Sequence, residues 1–279
     1  MPERMYTAVL QPLGNVLRGR TERLARAGCG TPRLDAELLL GRVLGLDRGG
    51  LVVQARRGLT FAELSDFDEL VERRTAREPV AYILGCKGFR SIQLEVDPRV
   101  LIPRPETELL VEAALSLPVG ARVVDVGTGS GAVALALADE RPDLRVRGVD
   151  VSAGAVAVAR GNAARLGSGV DFALADLLDG GEYDAVLANL PYVAEWEREA
   201  LAPEITGYEP ELSLLGGVDG LSLIRRLVAE LGSTVCFVAL EVGHEQAADV
   251  AALLAGAGFA SVERWRDLAG HERVVIGGR

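Results

Sequence analysis

The segment Asn189-Leu190-Pro191-Tyr192 places hydrogen-bond acceptors beside an aromatic ring. The apolar run before it, residues 183–188, is typical of a buried strand, and open parallel sheets bind their ligands at the carboxyl ends of their strands. The Asn189 side-chain carbonyl and the Leu190 backbone carbonyl could accept both N–H groups of a planar amide or amino group. Pro191 would stiffen the turn, and Tyr192 would supply a flat wall. The alternative is an ordinary Asn-initiated turn closed by proline.

A second candidate element is a glycine-rich turn, Gly127-Thr128-Gly129-Ser130-Gly131. It lies between a β-branched strand at 122–126 and an apolar helix that begins at residue 132. Glycine permits positive φ and close backbone approach, and a helix N-terminus adds positive potential. The spacing is G-x-G-x-G, which differs from the G-x-G-x-x-G of dinucleotide folds and lacks the G-K-[ST] ending that grips nucleotide phosphates.

Carboxylates follow the next two predicted strands, at 145–149 and 170–174. Asp150 lies about 20 residues beyond the glycine turn, where a carboxylate can accept hydrogen bonds from ribose hydroxyls. The pattern favours a nucleoside cofactor without a pyrophosphate, and S-adenosylmethionine fits it. The alternative for Asp150 is a helix N-cap shared with Ser152.

These elements predict one site, because strand ends line up along one edge of a doubly wound sheet. The residues that should converge there are Asp125, Gly127, Gly129, Asp150, Asp176 and Asn189. The full predicted cofactor site comprises Gly127, Thr128, Gly129, Ser130, Gly131, Asp150, Asp176, Leu177 and Asn189, and the predicted catalytic segment is Asn189, Leu190, Pro191 and Tyr192. No metal is expected.

Several motifs from about residue 79 onward carry a family resemblance. They include Pro79-Val80-Ala81-Tyr82-Ile83-Leu84-Gly85, Arg104-Pro105-Glu106-Thr107-Glu108, the glycine turn with Asp125, Asn162, Glu209-Pro210, Gly216-Gly217-Val218-Asp219-Gly220, Glu241-Val242-Gly243 and Glu272-Arg273-Val274. The chain resembles the PrmC/HemK family, protein-(glutamine N5) methyltransferases that modify peptide-chain release factors. The glycine turn occurs in many methyltransferases, so the motif at 104–108 is the more specific part of the likeness.

The resemblance implies a class I S-adenosylmethionine-dependent methyltransferase. Its fold would be α/β and Rossmann-like, with a mostly parallel sheet of seven strands and a final antiparallel strand. The expected activity is methyl transfer to the side-chain amide nitrogen of the glutamine in the Gly-Gly-Gln segment of release factors. The release factor would be the partner, with no direct nucleic-acid binding, no membrane association and a monomeric state.

One residue departs from the family pattern. The family tetrapeptide is Asn-Pro-Pro-Tyr, and Leu190 stands where the first proline is expected. Because only the backbone carbonyl of that position is expected to contact substrate, the chemistry can survive. Losing the proline relaxes the backbone restriction on Asn189, so a looser loop is expected.

The resemblance and the helical periodicity together predict three regions. Residues 1–85 should form a helical domain, with apolar residues at helical spacing, a helix opening at Thr31-Pro32 and a break at Gly45. Residues 86–103 alternate in hydrophobicity and should form a β-hairpin linker, and residues 104–279 should be the catalytic domain. The helical domain could dock the protein substrate or only buttress the catalytic domain.

Composition restricts the function further. Thirteen arginines and eleven acidic residues give residues 1–85 a net charge of +2. Because the whole chain has a net charge of −10, residues 86–279 carry −12. A domain that acidic is a poor partner for a phosphate backbone. Three distant cysteines and two histidines make a zinc site, a disulfide framework or a His-based nucleophile improbable. The chain shows neither an apolar run that could span a membrane nor a signal peptide, so a cytoplasmic location is expected.

Three other functions compete with this prediction. An adenine-N6 DNA methyltransferase would use the same Asn-x-Pro-Tyr chemistry on a flipped base, but it should carry a basic target-recognition domain. A nicotinamide oxidoreductase is disfavoured by the glycine spacing. A non-catalytic binding protein is the third, and a ribosomal protein is an alternative substrate for glutamine methylation.

Overall fold

The computed structural model describes residues 11–279. They belong to two compact units, one ending at Leu84 and the other spanning Gly85–Arg279. Within residues 11–279, no helix combines the length and the apolar character needed to cross a membrane. The three-region division at residues 85 and 103 stays a prediction, and the first ten residues of the predicted helical domain lie outside the described part.

The first unit is a small helical bundle. Its elements are β1 (Gln11–Pro12), α1 (Leu13–Arg26), α2 (Pro32–Leu44), α3 (Arg48–Val53), β2 (Gly58–Leu59), α4 (Phe61–Thr75) and α5 (Val80–Leu84). The predicted break is present, because Gly45 ends α2 in the left-handed region at φ 64°. Thr60 and Glu63 form a reciprocal capping box that fixes the start of α4. Phe67 and the apolar faces of α1 and α2 form the buried core.

The second unit begins with a hairpin of β3 (Cys86–Phe89) and β4 (Ile92–Glu95). Asn162 is fully buried beneath it and attaches the hairpin to the glycine turn. Its Oδ1 accepts a hydrogen bond from Glu95 N at 2.7 Å, and its Nδ2 donates to Glu95 O and Ser130 O at 3.0 Å each. One buried amide therefore satisfies the backbone of two loops.

The rest of the second unit alternates strands and helices. The helices are α6 (Glu108–Ala114), α7 (Ala132–Glu140), α8 (Ala153–Leu166), α9 (Pro203–Tyr208), α10 (Ser222–Glu230) and α11 (Ala247–Gly256). The strands are β5 (Arg122–Val126), β6 (Arg145–Asp150), β7 (Asp171–Leu174), β8 (Ala185–Ala188), β9 (Phe237–Glu241), β10 (Ser261–Arg266) and β11 (Glu272–Gly278). Short 3-10 turns at Pro105–Thr107, Glu195–Ala200 and Glu211–Ser213 complete it.

These strands form one seven-stranded sheet in the order β10-β11-β9-β8-β5-β6-β7. The pairs from β9 to β7 are parallel, and β11 is antiparallel to both β9 and β10. The predicted α/β fold with a final antiparallel strand is confirmed. Strand order reverses between β5 and β8, and ligands of open α/β sheets bind in the crevice at such a point.

Candidate active site

A cavity lies at the carboxyl edge of β5, β6 and β8. The predicted site residues that line it are Asp125, Gly127, Thr128, Gly129, Ser130, Asp150, Asp176, Leu177, Asn189, Leu190 and Pro191. Gly131 and Tyr192 do not line it. The structure thus brings together most of a set that spans about a quarter of the chain.

The glycine turn is shaped by backbone hydrogen bonds to β6. Gly127 N and Thr128 N both donate to Val149 O, at 2.9 and 3.0 Å. Gly127, Gly129 and Gly131 all have positive φ, of 72°, 56° and 82°. A Cβ on Gly131 would lie 3.1 Å from the Phe172 ring, so this glycine permits close contact of α7 with the sheet. Its role is therefore to seat the helix, away from the cavity.

Asp125 anchors the turn from below. Its Oδ2 accepts hydrogen bonds from Thr128 Oγ1 at 2.6 Å and from Ala134 N at 3.3 Å. Burial raises the pKa of Asp125 to about 7, and the nearby Asp150 adds to the rise. The Asp125 carboxyl thus connects the end of β5 to the first turn of α7. These hydrogen bonds hold the intervening glycine turn in one conformation.

Asp150 holds the opposite side of the turn. Its Oδ2 accepts the Gly129 N–H at 2.9 Å, and its Oδ1 accepts the Ser152 N–H at 2.8 Å. The cap of α8 is Ser152, whose Oγ accepts the Ala155 N–H at 3.2 Å. Burial raises the pKa of Asp150, and its backbone hydrogen bonds oppose the rise. Since each carboxylate oxygen has two acceptor sites, Asp150 can still accept hydrogen bonds from a ligand.

Leu177 and Asp176 form the far end of the cavity. Leu177 is buried at φ 67°, a left-handed conformation that is rare for a non-glycine residue. The exposed Asp176 pairs with Arg226 at 2.8 Å across the rim. Val151 is 52% exposed and also lines the cavity, so an apolar surface faces the ligand beside Asp150.

The side-chain amide of Asn189 is oriented by Thr107. Asn189 Nδ2 donates to Thr107 Oγ1 at 3.0 Å, and both residues line the cavity. When the nitrogen of a side-chain amide donates a hydrogen bond on one side, its oxygen points to the other side. Asn189 can therefore accept a hydrogen bond from a ligand, as the sequence predicts.

Two family models match the chain. One is the PrmC N-terminal domain, over residues 15–85, and the other is the methyltransferase small domain, over residues 105–206. A release factor glutamine methyltransferase of Rhodospirillum rubrum is 40% identical over 276 residues, covering 96% of this chain and 85% of that protein. A protein of the same name from Geobacter sulfurreducens is 41% identical over 263 residues, covering 92% of each.

The chain belongs to the release factor glutamine methyltransferase family. Its catalytic fold has wider relatives. A structure from E. cuniculi, a complex responsible for methylation of the eRF1 termination factor, superposes with a TM-score of 0.50 at 22% identity, covering 65% of this chain and 99% of that chain. At that identity the likeness shows the fold alone. The predicted family resemblance is confirmed.

Leu190, which departs from the family tetrapeptide, turns its side chain into the core. It is only 5% exposed and belongs to the same buried cluster as Val126 and Leu221. A Cβ placed on Gly127 would lie 3.2 Å from Leu190 Cδ2, so the glycine turn and the 189–192 segment are in close contact. The Leu190 side chain thus restrains the loop by packing, where proline would restrain it through φ.

Tyr192 makes its polar contacts behind the cavity. Its hydroxyl donates to Glu241 Oε1 at 3.2 Å, and its carbonyl accepts from Gln246 Nε2 at 2.9 Å. Burial, with the adjacent Glu241 carboxyl, raises the pKa of Tyr192 well above its ordinary value. The phenol therefore stays a neutral hydrogen-bond donor.

The sequence-based site omitted several buried polar residues. The buried Thr107 and Glu241 contact the predicted catalytic segment, and the buried Glu209 accepts a hydrogen bond at 2.5 Å from Arg104, which lines the cavity. Each lies in a motif that carries the family resemblance. Glu241 ends β9, so the strand-end rule that selected Asn189 could have selected it too.

Proposed function

We propose that this protein transfers a methyl group from S-adenosylmethionine to the side-chain amide nitrogen of the glutamine in the Gly-Gly-Gln segment of peptide-chain release factors. The observation that carries the proposal is the orientation of Asn189, whose amide nitrogen is held by Thr107 at 3.0 Å. A substrate amide needs acceptors for two N–H groups, and Asn189 Oδ1 with the Leu190 carbonyl offers two. Family membership supports the choice of substrate.

The cavity suits the cofactor that the family implies. The open surface at Gly129, where an added Cβ would meet nothing within 4 Å, lets a ligand approach the backbone. Asp150 would accept the ribose hydroxyls, Val151 would cover one face of the adenine, and Asp176 with Leu177 would bind its edge. Bound S-adenosylmethionine supplies an electrophilic methyl group on a sulfonium.

The chain's own contribution is positioning. An amide nitrogen is a poor nucleophile because its lone pair is delocalised into the carbonyl, so holding it in line with the methyl group supplies much of the acceleration. The Asn189 side-chain oxygen and the Leu190 carbonyl would accept hydrogen bonds from its two N–H groups. These bonds would stabilise the positive charge that develops on the nitrogen. The nitrogen becomes strongly acidic after transfer, so its proton can leave to water without a dedicated base. Pro191, which lines the cavity, would bound the substrate side of the loop, and Tyr192 would hold the end of the loop through its hydrogen bond to Glu241.

Binding of the release factor involves the rest of the chain. We propose that the helical unit, matched by the PrmC N-terminal domain, docks the protein substrate. We expect the protein to act as a monomer. A substrate that functions in translation termination places the activity in the cytoplasm. S-adenosylmethionine and the Gly-Gly-Gln loop would be the ligands, without direct contact to nucleic acid.

The deciding experiment offers several acceptors to the protein with tritiated S-adenosylmethionine. Release factor should be labelled, and duplex DNA and ribosomal protein should not. A release factor with glutamate in place of the Gly-Gly-Gln glutamine is the matched substrate control, because it lacks the amide nitrogen. Label on DNA, on ribosomal protein or on the glutamate variant would refute the assignment.

Asn189→Ala tests the mechanism within the same assay. Losing one acceptor should lower turnover by about 10²- to 10³-fold, by analogy with deletion of one oxyanion-hole donor. Asn189→Ala with wild-type turnover would rule out this role for the amide.

A further inference from the structure

Glu241 is a buried carboxyl with an unsatisfied oxygen. It ends β9, is only 2% exposed, and its Oε2 makes no hydrogen bond. A buried unpaired carboxyl oxygen is costly, and such groups in native structures call for an explanation. Glu241 does not line the cavity, so the explanation lies in what it holds.

Two residues of the proposed site meet at this carboxyl. Tyr192 Oη donates to Oε1 at 3.2 Å. The Thr107 hydroxyl lies close enough to the carboxyl to lower its pKa, and the unsatisfied Oε2 is an acceptor to which the Thr107 proton can turn. Thr107 in turn accepts from Asn189 Nδ2. Catalytic hydrogen bonds are often long in the absence of substrate and tighten when it binds.

We propose that Glu241 is a positioning residue for methyl transfer, which acts through Thr107 on Asn189 and through Tyr192 on the end of the same loop. This rests on the proposed function. A threonine hydroxyl has one proton to donate. When that proton points to Glu241, the Thr107 oxygen faces Asn189 with a lone pair, and the amide must present its nitrogen there. Asn189 Oδ1 then faces the substrate.

Protonation of Glu241 would remove the preference for this orientation of the Thr107 hydroxyl and the Asn189 amide. A neutral carboxyl can donate to Thr107, and the Thr107 proton can then turn to Asn189 and favour the flipped amide. The flipped amide would present N–H groups to the N–H groups of the substrate. The charged groups around Glu241 oppose each other: Glu106, before α6, raises its pKa, and Arg273, on β11, lowers it. With burial, the balance places the pKa at about 7.

The test uses full-length protein and release factor. Glu241→Gln should lower kcat about 10-fold or more, while calorimetry finds cofactor affinity within about 3-fold of wild type. In the wild type, kcat should rise near pH 7 as Glu241 ionises, and this rise should be absent from the pH profile of Glu241→Gln. Thr107→Val should show a similar loss and Thr107→Ser should recover most of it. The double variant Glu241→Gln/Thr107→Val should be no worse than the more damaged single variant, because both act through Asn189.

Glu263→Gln is the control, since Glu263 lies on the exposed strand β10 and its carboxylate accepts a hydrogen bond from the Trp265 indole N–H. It should keep wild-type kcat and pH profile. If Glu241→Gln does not fold, the Thr107 pair decides the matter. Wild-type kcat in Glu241→Gln or Thr107→Val, or defects that multiply in the double variant, would overturn the proposal.

A readout without turnover separates this proposal from the proposed function. The Asn189 side-chain NH₂ resonances, identified by their loss in Asn189→Ser, should shift with pH around 7 in wild type and stay fixed in Glu241→Gln. If release factor is not methylated and this shift occurs, the function fails and the network stands. If release factor is methylated and the shift is absent, the network fails alone.

Discussion

Asp150 bonds Gly129 through one carboxylate oxygen at 2.9 Å, while its other oxygen bonds the N–H of Ser152 at 2.8 Å. The side chain therefore sets the distance between the glycine turn and the start of α8. It needs two acceptors to do so, and only a carboxylate provides them in this geometry.

Asp150→Asn should weaken cofactor binding nearly as much as Asp150→Ala. Judged by charge alone, the amide would be the milder change, since it keeps one acceptor. In this structure its NH₂ group would face either the Gly129 or the Ser152 N–H. Both variants should lose about 10- to 150-fold in S-adenosylmethionine affinity by titration calorimetry, as expected for hydrogen bonds to a charged group worth about 1.5–3 kcal/mol.

Ser152→Ala is the matched control for this prediction. It removes the hydroxyl that caps α8 but leaves the Ser152 backbone N–H in place. It should lower thermal stability by about 1 kcal/mol with cofactor affinity nearly intact. An Asp150→Asn protein with wild-type affinity would show that the carboxylate serves the helix alone.

The sheet was predictable because its strands carry local signals. β5 and β8 are short, largely buried runs followed at once by Gly127 and Asn189, and a parallel sheet buried on both faces requires such runs. Strand limits were less predictable. β8 begins at Ala185, later than the apolar run from residue 183 suggests, because pairing, not hydrophobicity, defines a strand.

The contacts behind Asn189 could not be predicted in this way. Thr107 and Asn189 are separated by 82 residues, and Tyr192 and Glu241 by 49. Neither pair shows periodicity, and both depend on how a 3-10 turn and β9 approach the loop. The family motifs marked Thr107 and Glu241 without indicating what they contact.

Leu190→Ala should destabilise the second unit by about 2–5 kcal/mol, because it empties a buried site in contact with Gly127. Turnover should fall as well, since the Leu190 carbonyl moves with the loop. Leu190→Pro restores the family residue and should keep kcat within about 10-fold of wild type, because φ is then fixed by the ring. Denaturant unfolding and initial rates measure the two effects. A stable, fully active Leu190→Ala protein would contradict the packing role.

Alanine substitution should have opposite effects on the stability of the fold at Gly148 and at Gly161. A Cβ on Gly148 would lie 2.5 Å from the Phe172 ring and 2.7 Å from Thr128 Oγ1, so Gly148→Ala should destabilise the fold by about 1–3 kcal/mol. Gly161 lies in α8 with nothing within 4 Å of an added Cβ, so Gly161→Ala should stabilise by about 0.5–1 kcal/mol. Thermal midpoints measured side by side test the pair, and equal shifts would contradict the clash at Gly148.

Glu241→Gln should stabilise the protein at high pH and not at low pH. Burial raises the pKa of Glu241 from 4.5 to about 7, so the folded state holds this proton through a range in which the unfolded state releases it. Stability conferred by the neutral carboxyl is therefore present below about pH 4.5 and declines as pH rises to 7. At about 1.4 kcal/mol for each pKa unit, the loss at pH 8 is on the order of 3 kcal/mol.

Glutamine cannot ionise, so its variant should avoid that loss. Its thermal midpoint should exceed that of wild type at pH 8 and match it within a degree or two at pH 4. Glu263→Gln, on the exposed side of β10, should shift neither midpoint. A gain in stability together with a loss of kcat is the signature of a residue retained for function at the expense of the fold. A Glu241→Gln protein that is less stable than wild type at pH 8 would mean that the carboxylate stabilises the fold, and the buried Oε2 would then need a partner that contributes more than its desolvation costs.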